Sequence, residues 1–264
     1  MTPRERTVRV NGFPCRVWEA GDGERLGYLG GLGGVPRWSP FLELLARRRR
    51  VIVPSLPGFP GALGHDRLDD IADWVAATLD LVEESGLEGA DLVGASVGGM
   101  LAAEVAAFSR AAVRRLVLVA PFGLFDAGEP VADVFAQKPK DLPALLCVRP
   151  ERLAEQQSPP HGEDPAEWMI TLARASEAAA RILWSLGDHG LAKRLHRIRV
   201  PTLVLWGAAD RVIPPSYTRR FAAGIGGSVE VATIDGAGHF ADLDAPDEVA
   251  AAIERFLVVR HKTA

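Results

Sequence analysis

Gly94-Ala95-Ser96-Val97-Gly98-Gly99 puts a serine in a setting that can make it a nucleophile. An apolar run, Asp91-Leu92-Val93, leads into it, and an Ala-rich helical pattern from Met100 to Ser109 follows. Small residues two before and two after a serine let the chain turn sharply from strand to helix without side-chain clashes. Such a turn lifts the hydroxyl clear of the sheet and leaves the next amide, that of Val97, facing the same space. The chemistry this implies is acyl transfer. A serine hydroxyl is a weak nucleophile at neutral pH and needs a base in hydrogen-bond reach, itself oriented by a carboxylate.

Six histidines could supply the base. His65 and His161 fall in loops, His189 and His196 flank helical segments, and His261 is in the C-terminal tail. His239 differs: it sits in Gly236-Ala237-Gly238-His239-Phe240, just past a strand pattern. Asp210, in Trp206-Gly207-Ala208-Ala209-Asp210-Arg211-Val212-Ile213-Pro214, follows a buried strand. Taken alone it reads as a turn-forming aspartate. The order serine, aspartate, histidine, each on a loop after a strand, makes Asp210 the orienting acid.

The elements that must hold these residues are legible as periodicities. Thr7 to Val10 and Cys15 to Glu19 read as strands joined by an Asn11-Gly12 turn. Leu26 to Leu29 is a third strand, ending in Gly30-Gly31-Leu32-Gly33-Gly34. Val51 to Val53, Leu92-Val93, Leu116 to Ala120, Thr202 to Trp206 and Val229 to Ile234 complete the set. Helical spacing covers Trp38 to Ala46, Leu68 to Glu84, Tyr217 to Ala223 and Glu248 to Val259. Strands alternating with helices, several of them continuous apolar runs, imply an α/β fold with a mainly parallel sheet covered on both faces.

Residues 122–197 break the rhythm. They carry Pro130, Pro139, Pro143, Pro150, Pro159, Pro160 and Pro165, with helical segments such as Trp168 to Ser185. Lying between two core strands, they read as an inserted helical cap, which leaves 1–121 and 198–264 as the core.

At this point the chain resembles the α/β-hydrolase superfamily over nearly its whole length. The serine turn, the acid segment WGAADRVIP, the base segment GAGHF and Arg50-Val51-Ile52-Val53-Pro54-Ser55-Leu56-Pro57-Gly58-Phe59 carry the resemblance. It implies an eight-stranded, mostly parallel sheet flanked by helices, with a helical cap over the active site. It also makes Ser96 the nucleophile, His239 the base and Asp210 its orienter, with Asp126 as an alternative acid. Asp242 and Asp244 are too close in sequence to His239 to be preferred. By the same resemblance the backbone N–H groups of Leu32 and Val97 form the oxyanion hole. Gly30 stands where relatives usually carry a histidine that braces that loop. A phosphate-loop reading of the glycine cluster is weak, because no Gly-Lys-Ser/Thr follows it.

Aromatic and aliphatic side chains crowd the cap, and Phe122 and Trp184 are the candidates to line an apolar pocket facing the serine. Such a pocket suits a hydrophobic ester. Hydrolysis of a carbon–carbon bond in a vinylogous diketone ranks below it, because those hydrolases usually show Asn at the position of Ala95 and an indole at that of Phe240. Lactone hydrolysis is a further alternative, and a non-catalytic ligand receptor on the same fold ranks last.

Composition narrows the field. At 264 residues and 48% hydrophobic, the chain can bury one large core. A net charge of −4 argues against a nucleic-acid partner. The one basic run, Arg47 to Arg50, ends a helical pattern and reads as a solvated helix end. Cys15 and Cys147 have no metal-site or disulfide spacing, and ester hydrolysis by a serine triad requires no metal or cofactor. No apolar run approaches the ~20 residues that span a bilayer, and no signal peptide pattern is present. The expectation is a cytoplasmic protein with no membrane partner; the oligomeric state, including a homo-oligomer, is left open.

Overall fold

Asn11 and Gly12 both adopt positive φ, 50° and 82°, the geometry a two-residue hairpin turn needs. They join β1 (Arg4–Val10) to β2 (Phe13–Ala20). Six more strands follow: β3 (Arg25–Leu29), β4 (Arg50–Pro54), β5 (Ala90–Ala95), β6 (Val113–Val119), β7 (Thr202–Gly207) and β8 (Val229–Ile234). In this computed structural model, which describes residues 1–259, they form one sheet in the order β1-β2-β4-β3-β5-β6-β7-β8. β1 pairs with β2 and β2 with β4 antiparallel; every other pairing is parallel. The α/β-hydrolase architecture expected from the sequence is the one found.

Side-chain alternation sorts the central strands onto two faces. Leu92, Leu116, Leu118, Val204 and Trp206 pack with α2 (Ile71–Glu84) and α3 (Ser96–Phe108), through Trp74, Leu81, Met100 and Val105. Their neighbours Val93, Val117, Val119, Leu203 and Leu205 face the other way. There they meet Phe41 and Leu45 of α1 (Pro40–Ala46), and Val249, Ile253 and Phe256 near the C-terminus. The continuous apolar runs of the sequence are strands buried on both faces.

Between β6 and β7 the chain forms α4 (Leu142–Leu146), α5 (Pro150–Gln157) and α6 (Pro165–Leu183), then two short 3₁₀ turns, Leu191–Lys193 and Leu195–Arg197. This segment is tied to the elements around it by charged side chains. Glu104 of α3 is fully buried and is held by Arg194 through Nε and Nη2 at 2.7 and 2.5 Å. Arg37 donates to the Ser158 carbonyl from Nε and Nη2, at 3.0 and 2.8 Å. After β7 come α7 (Tyr217–Gly224), α8 (Ala241–Asp244) and α9 (Pro246–Val258). No described helix is long and apolar enough to cross a membrane.

Two expectations change here. The helical spacing from Leu68 begins as helix only at Ile71, because the Asp70 carboxylate accepts from the amides of Ala72 and Asp73 and caps it there. The Arg47–Arg50 run is not solvated throughout. Arg49 is buried and reaches Glu254 of α9 and Glu24, while Arg50 pairs with Glu19. His261 lies outside the described residues.

Candidate active site

β5 and α3 meet with no residue between them, and Ser96 is the first residue of the helix, at φ 53°. The flanking glycines are forced by contact. A Cβ on Gly94 would lie 2.5 Å from the Gly98 carbonyl oxygen. One on Gly98 would lie 2.4 Å from the carbonyl oxygens of both Leu29 and Gly30. No side chain fits at either place, so the turn brings Ser96 against the end of β3.

β7 and β8 deliver the other two residues. Ser96 Oγ is 2.8 Å from His239 Nε2, and His239 Nδ1 is 3.0 Å from Asp210 Oδ2. Asp210 is oriented by the turn that carries it: its Oδ1 accepts the amides of Val212 and Ile213 at 2.8 and 3.0 Å, leaving Oδ2 for the imidazole. With the ring proton on Nδ1 toward Asp210, Nε2 is the acceptor for the serine hydroxyl. All three residues are buried. In such a setting the charge relation between carboxylate and ring is weakly screened. The arrangement can draw a proton from Ser96 and return it to a leaving group.

The loop after β3 runs against Ser96. A Cβ on Gly31 would lie 3.0 Å from Ser96 Cβ and 3.3 Å from the Phe240 ring. Leu32 is the next residue, and a tight turn is closed by Gly34 N donating to Gly31 O at 2.8 Å. A side chain at position 30 has no space, since a Cβ there would meet Val35 Cγ2 at 2.8 Å and the Gly34 carbonyl carbon at 2.9 Å. Packing against Val35 and the Gly31–Gly34 turn hold this loop without a histidine. Val97 is fully buried in the first turn of α3, where its N–H has no carbonyl one turn earlier in the helix.

The candidate pocket residues separate. Phe122 packs edge-on against His239, ring centroids 5.4 Å apart. Trp184 does not face the serine: it ends α6 and is 68% exposed, because helix α6 turns its Ala175, Ala178, Ala179 and Ile182 face inward instead. Asp126 is directed elsewhere: it pairs with Arg220 and accepts the Gly128 amide, while His239 Nδ1 meets Asp210. Asp242 accepts a hydrogen bond from the Tyr28 hydroxyl at 2.8 Å, and burial holds its carboxyl above the usual carboxylate range.

Two cavities border the loops next to Ser96 and His239. A cavity of about 90 Å³ under the insertion is lined by Leu32, Val134, Phe135, Leu142, Leu146 and Leu172 among others. A smaller one of about 40 Å³ lies at Tyr28, Gly31, Ser39 and Asp242. Gly33, Gln157 and Phe240 border both. Phe240 stands out in the sequence as the residue after His239; Gln157, in a polar helix with no motif, carries no such signal. Burial pushes the Cys15 thiol up to about 11 and Cys147 higher still, which disfavours the reactive thiolate at both. Among the described residues no group of three or more His, Cys, Asp or Glu could hold a metal ion.

Known proteins share this framework. Residues 21–252 match the sequence model described as the Alpha/beta hydrolase family. The dihydrolipoyllysine-residue acetyltransferase component of the acetoin cleaving system of Pseudomonas putida is 28% identical, over 94% of this chain and 67% of that protein. A 2-hydroxy-6-oxo-2,4-heptadienoate hydrolase of P. putida is also 28% identical, over 79% of this chain and 80% of its own. The crystal structure of a membrane phospholipase A, a bacterial virulence factor, superposes with a TM-score of 0.78 at 24% identity. It covers 97% of this chain and 86% of that one.

Proposed function

The chain belongs to the alpha/beta hydrolase family, and from that premise we propose that it is a serine hydrolase cleaving the carboxylic ester bond of a small hydrophobic substrate. The observation that carries the reading is the buried relay from Ser96 through His239 to Asp210, at 2.8 and 3.0 Å, beside an apolar cavity.

Ser96 Oγ attacks the ester carbonyl while His239 Nε2 takes its proton. The N–H groups of Leu32 and Val97 hold the developing oxyanion, and Asp210 stabilises the imidazolium. Collapse of the tetrahedral intermediate expels the alcohol, protonated by His239, and leaves an acyl group on Ser96. Water, deprotonated by the same imidazole, then releases the carboxylic acid. In this reading residues 122–197 act as a cap, Phe122 braces the base, and Leu142 and Leu146 meet the acyl chain. The enzyme needs no cofactor or metal, acts in the cytoplasm, and has a small hydrophobic ester rather than a nucleic acid or membrane as its partner.

The relationship to the heptadienoate hydrolase keeps a second reading in play, hydrolysis of a carbon–carbon bond in a vinylogous diketone. Ala95 and Phe240 weigh against it, since neither offers the polar side chain that could hold a charged dienolate. Turnover of p-nitrophenyl esters of graded acyl length, against a 2-hydroxy-6-oxo-dienoate, decides between them. The ester reading predicts butyrate-to-octanoate esters as the better substrates by kcat/KM. Turnover of the dienoate alone would overturn it.

A further inference from the structure

His239 sits on the loop between β8 and α8, and the backbone of that loop is held from two sides. On the core side Ala209 N donates to Ala237 O at 2.9 Å, and Gly207 lies so close that a Cβ on it would be 2.2 Å from Gly238 O. On the other side Gly238 N, one residue before the base, donates to Asp244 Oδ2 at 2.8 Å. Phe240 N, one residue after it, donates to Leu146 O at 3.0 Å.

Asp244 does more than hold Gly238. Its Oδ2 also accepts Val148 N at 2.9 Å and its Oδ1 accepts Arg149 N at 2.8 Å, while Arg152 Nη1 donates to its main-chain carbonyl at 2.9 Å. The residue is fully buried. A carboxylate is costly to remove from water unless it is hydrogen-bonded, and here backbone amides supply those bonds. Its three carboxylate bonds divide between the base loop and residues 148–149 of the insertion. Leu146, which bonds the loop on the far side of His239, also lines the apolar cavity.

We propose that Asp244 is a positioning residue, whose buried carboxylate fixes the loop that carries His239 and ties it to the 146–149 strip of the insertion. The inference rests on the reading of Ser96 and His239 as nucleophile and base. A side-chain amide cannot replace the carboxylate. If its oxygen faces Gly238 and Val148, its NH₂ meets the Arg149 amide head-on, and the reverse orientation strands Gly238 and Val148.

The test compares Asp244→Asn and Asp244→Glu with wild type for kcat and KM on an aryl ester. The rate at which a fluorophosphonate labels Ser96 and the far-UV circular dichroism are measured alongside. In folded Asp244→Asn, kcat and the labelling rate fall together by roughly ten- to a hundredfold while KM stays within about twofold, as for a sub-ångström misplacement of the base. Asp244→Glu, which keeps two acceptor oxygens, recovers part of both rates. Unchanged kcat and labelling in a folded variant, or a raised KM with kcat intact, overturns the proposal. Native-state hydrogen exchange of wild type gives a reading that needs no variant. The amides of Gly238, Val148 and Arg149 are expected to be protected to within about tenfold of one another, and free exchange at Gly238 overturns it. If wild type is not labelled at Ser96, the hydrolase reading fails while the exchange result still stands. If it is labelled and Asp244→Asn is labelled equally fast, only the role of Asp244 fails.

Discussion

Gly98→Ala tests how tightly the nucleophile turn is built. The added Cβ would sit 2.4 Å from the carbonyl oxygens of Leu29 and Gly30. A carbon–oxygen contact settles at about 3.3 Å, so the end of β3 and the first turn of α3 must separate by roughly 0.9 Å. Overpacking of this kind costs about 1–3 kcal/mol, which for a chain of this size lowers Tm by about 2–12 °C. The larger effect is on activity. Displacing the Gly30 carbonyl carries the Leu32 amide with it, and a shift near 1 Å can cost roughly a hundredfold. Gly128→Ala is the control, because its Cβ meets only Asp126 Oδ1, at 3.5 Å, and the residue borders neither cavity. Differential scanning calorimetry and kcat/KM on p-nitrophenyl butyrate are the assays. A Gly98→Ala variant that keeps its Tm and its kcat/KM within about twofold, or a Gly128→Ala variant that loses as much, would show that the close contact does not matter.

Two further outcomes follow from buried charge. Arg194→Met leaves the fully buried Glu104 without its partner and is expected to destabilise the protein by about 3 kcal/mol; equal unfolding midpoints in urea would contradict this. Burial raises the Asp242 carboxyl above 3.8, so the folded state keeps its proton where the unfolded chain has lost it. That contribution is present below pH 3.8 and is lost as pH rises through the folded value. Asp242→Asn, which can still accept from Tyr28, should therefore gain in Tm relative to wild type between pH 4 and pH 8. A constant difference across that range counts against the account.

Much of this was legible in the residues because it depends on local pattern. The apolar runs ending at Val93, Val119 and Trp206 could only be strands buried on both faces, and the glycines around Ser96 announced a turn with no room for side chains. What remained hidden depends on direction in space. Composition marks the 122–197 segment as aromatic but not which way each ring points, so Phe122 against the base and Trp184 in solvent looked alike. α4 and α5 are short and proline-led, and Leu146 and Leu153 are the only residues they bury, too few for a period. Arg49 read as solvated because its partner Glu254 is distant in sequence. Asp244 looked merely adjacent to His239, because its bonds reach residues about a hundred positions back.

Activation of Ser96 as a nucleophile can be measured directly. Incubation of the native protein with a fluorophosphonate, followed by peptide mass spectrometry, tests it without knowledge of the substrate. One stoichiometric adduct is expected on the peptide carrying Ser96, absent in Ser96→Ala and absent when the protein is unfolded before labelling. No adduct on the native protein, or an adduct elsewhere with ester turnover undiminished in Ser96→Ala, would contradict it.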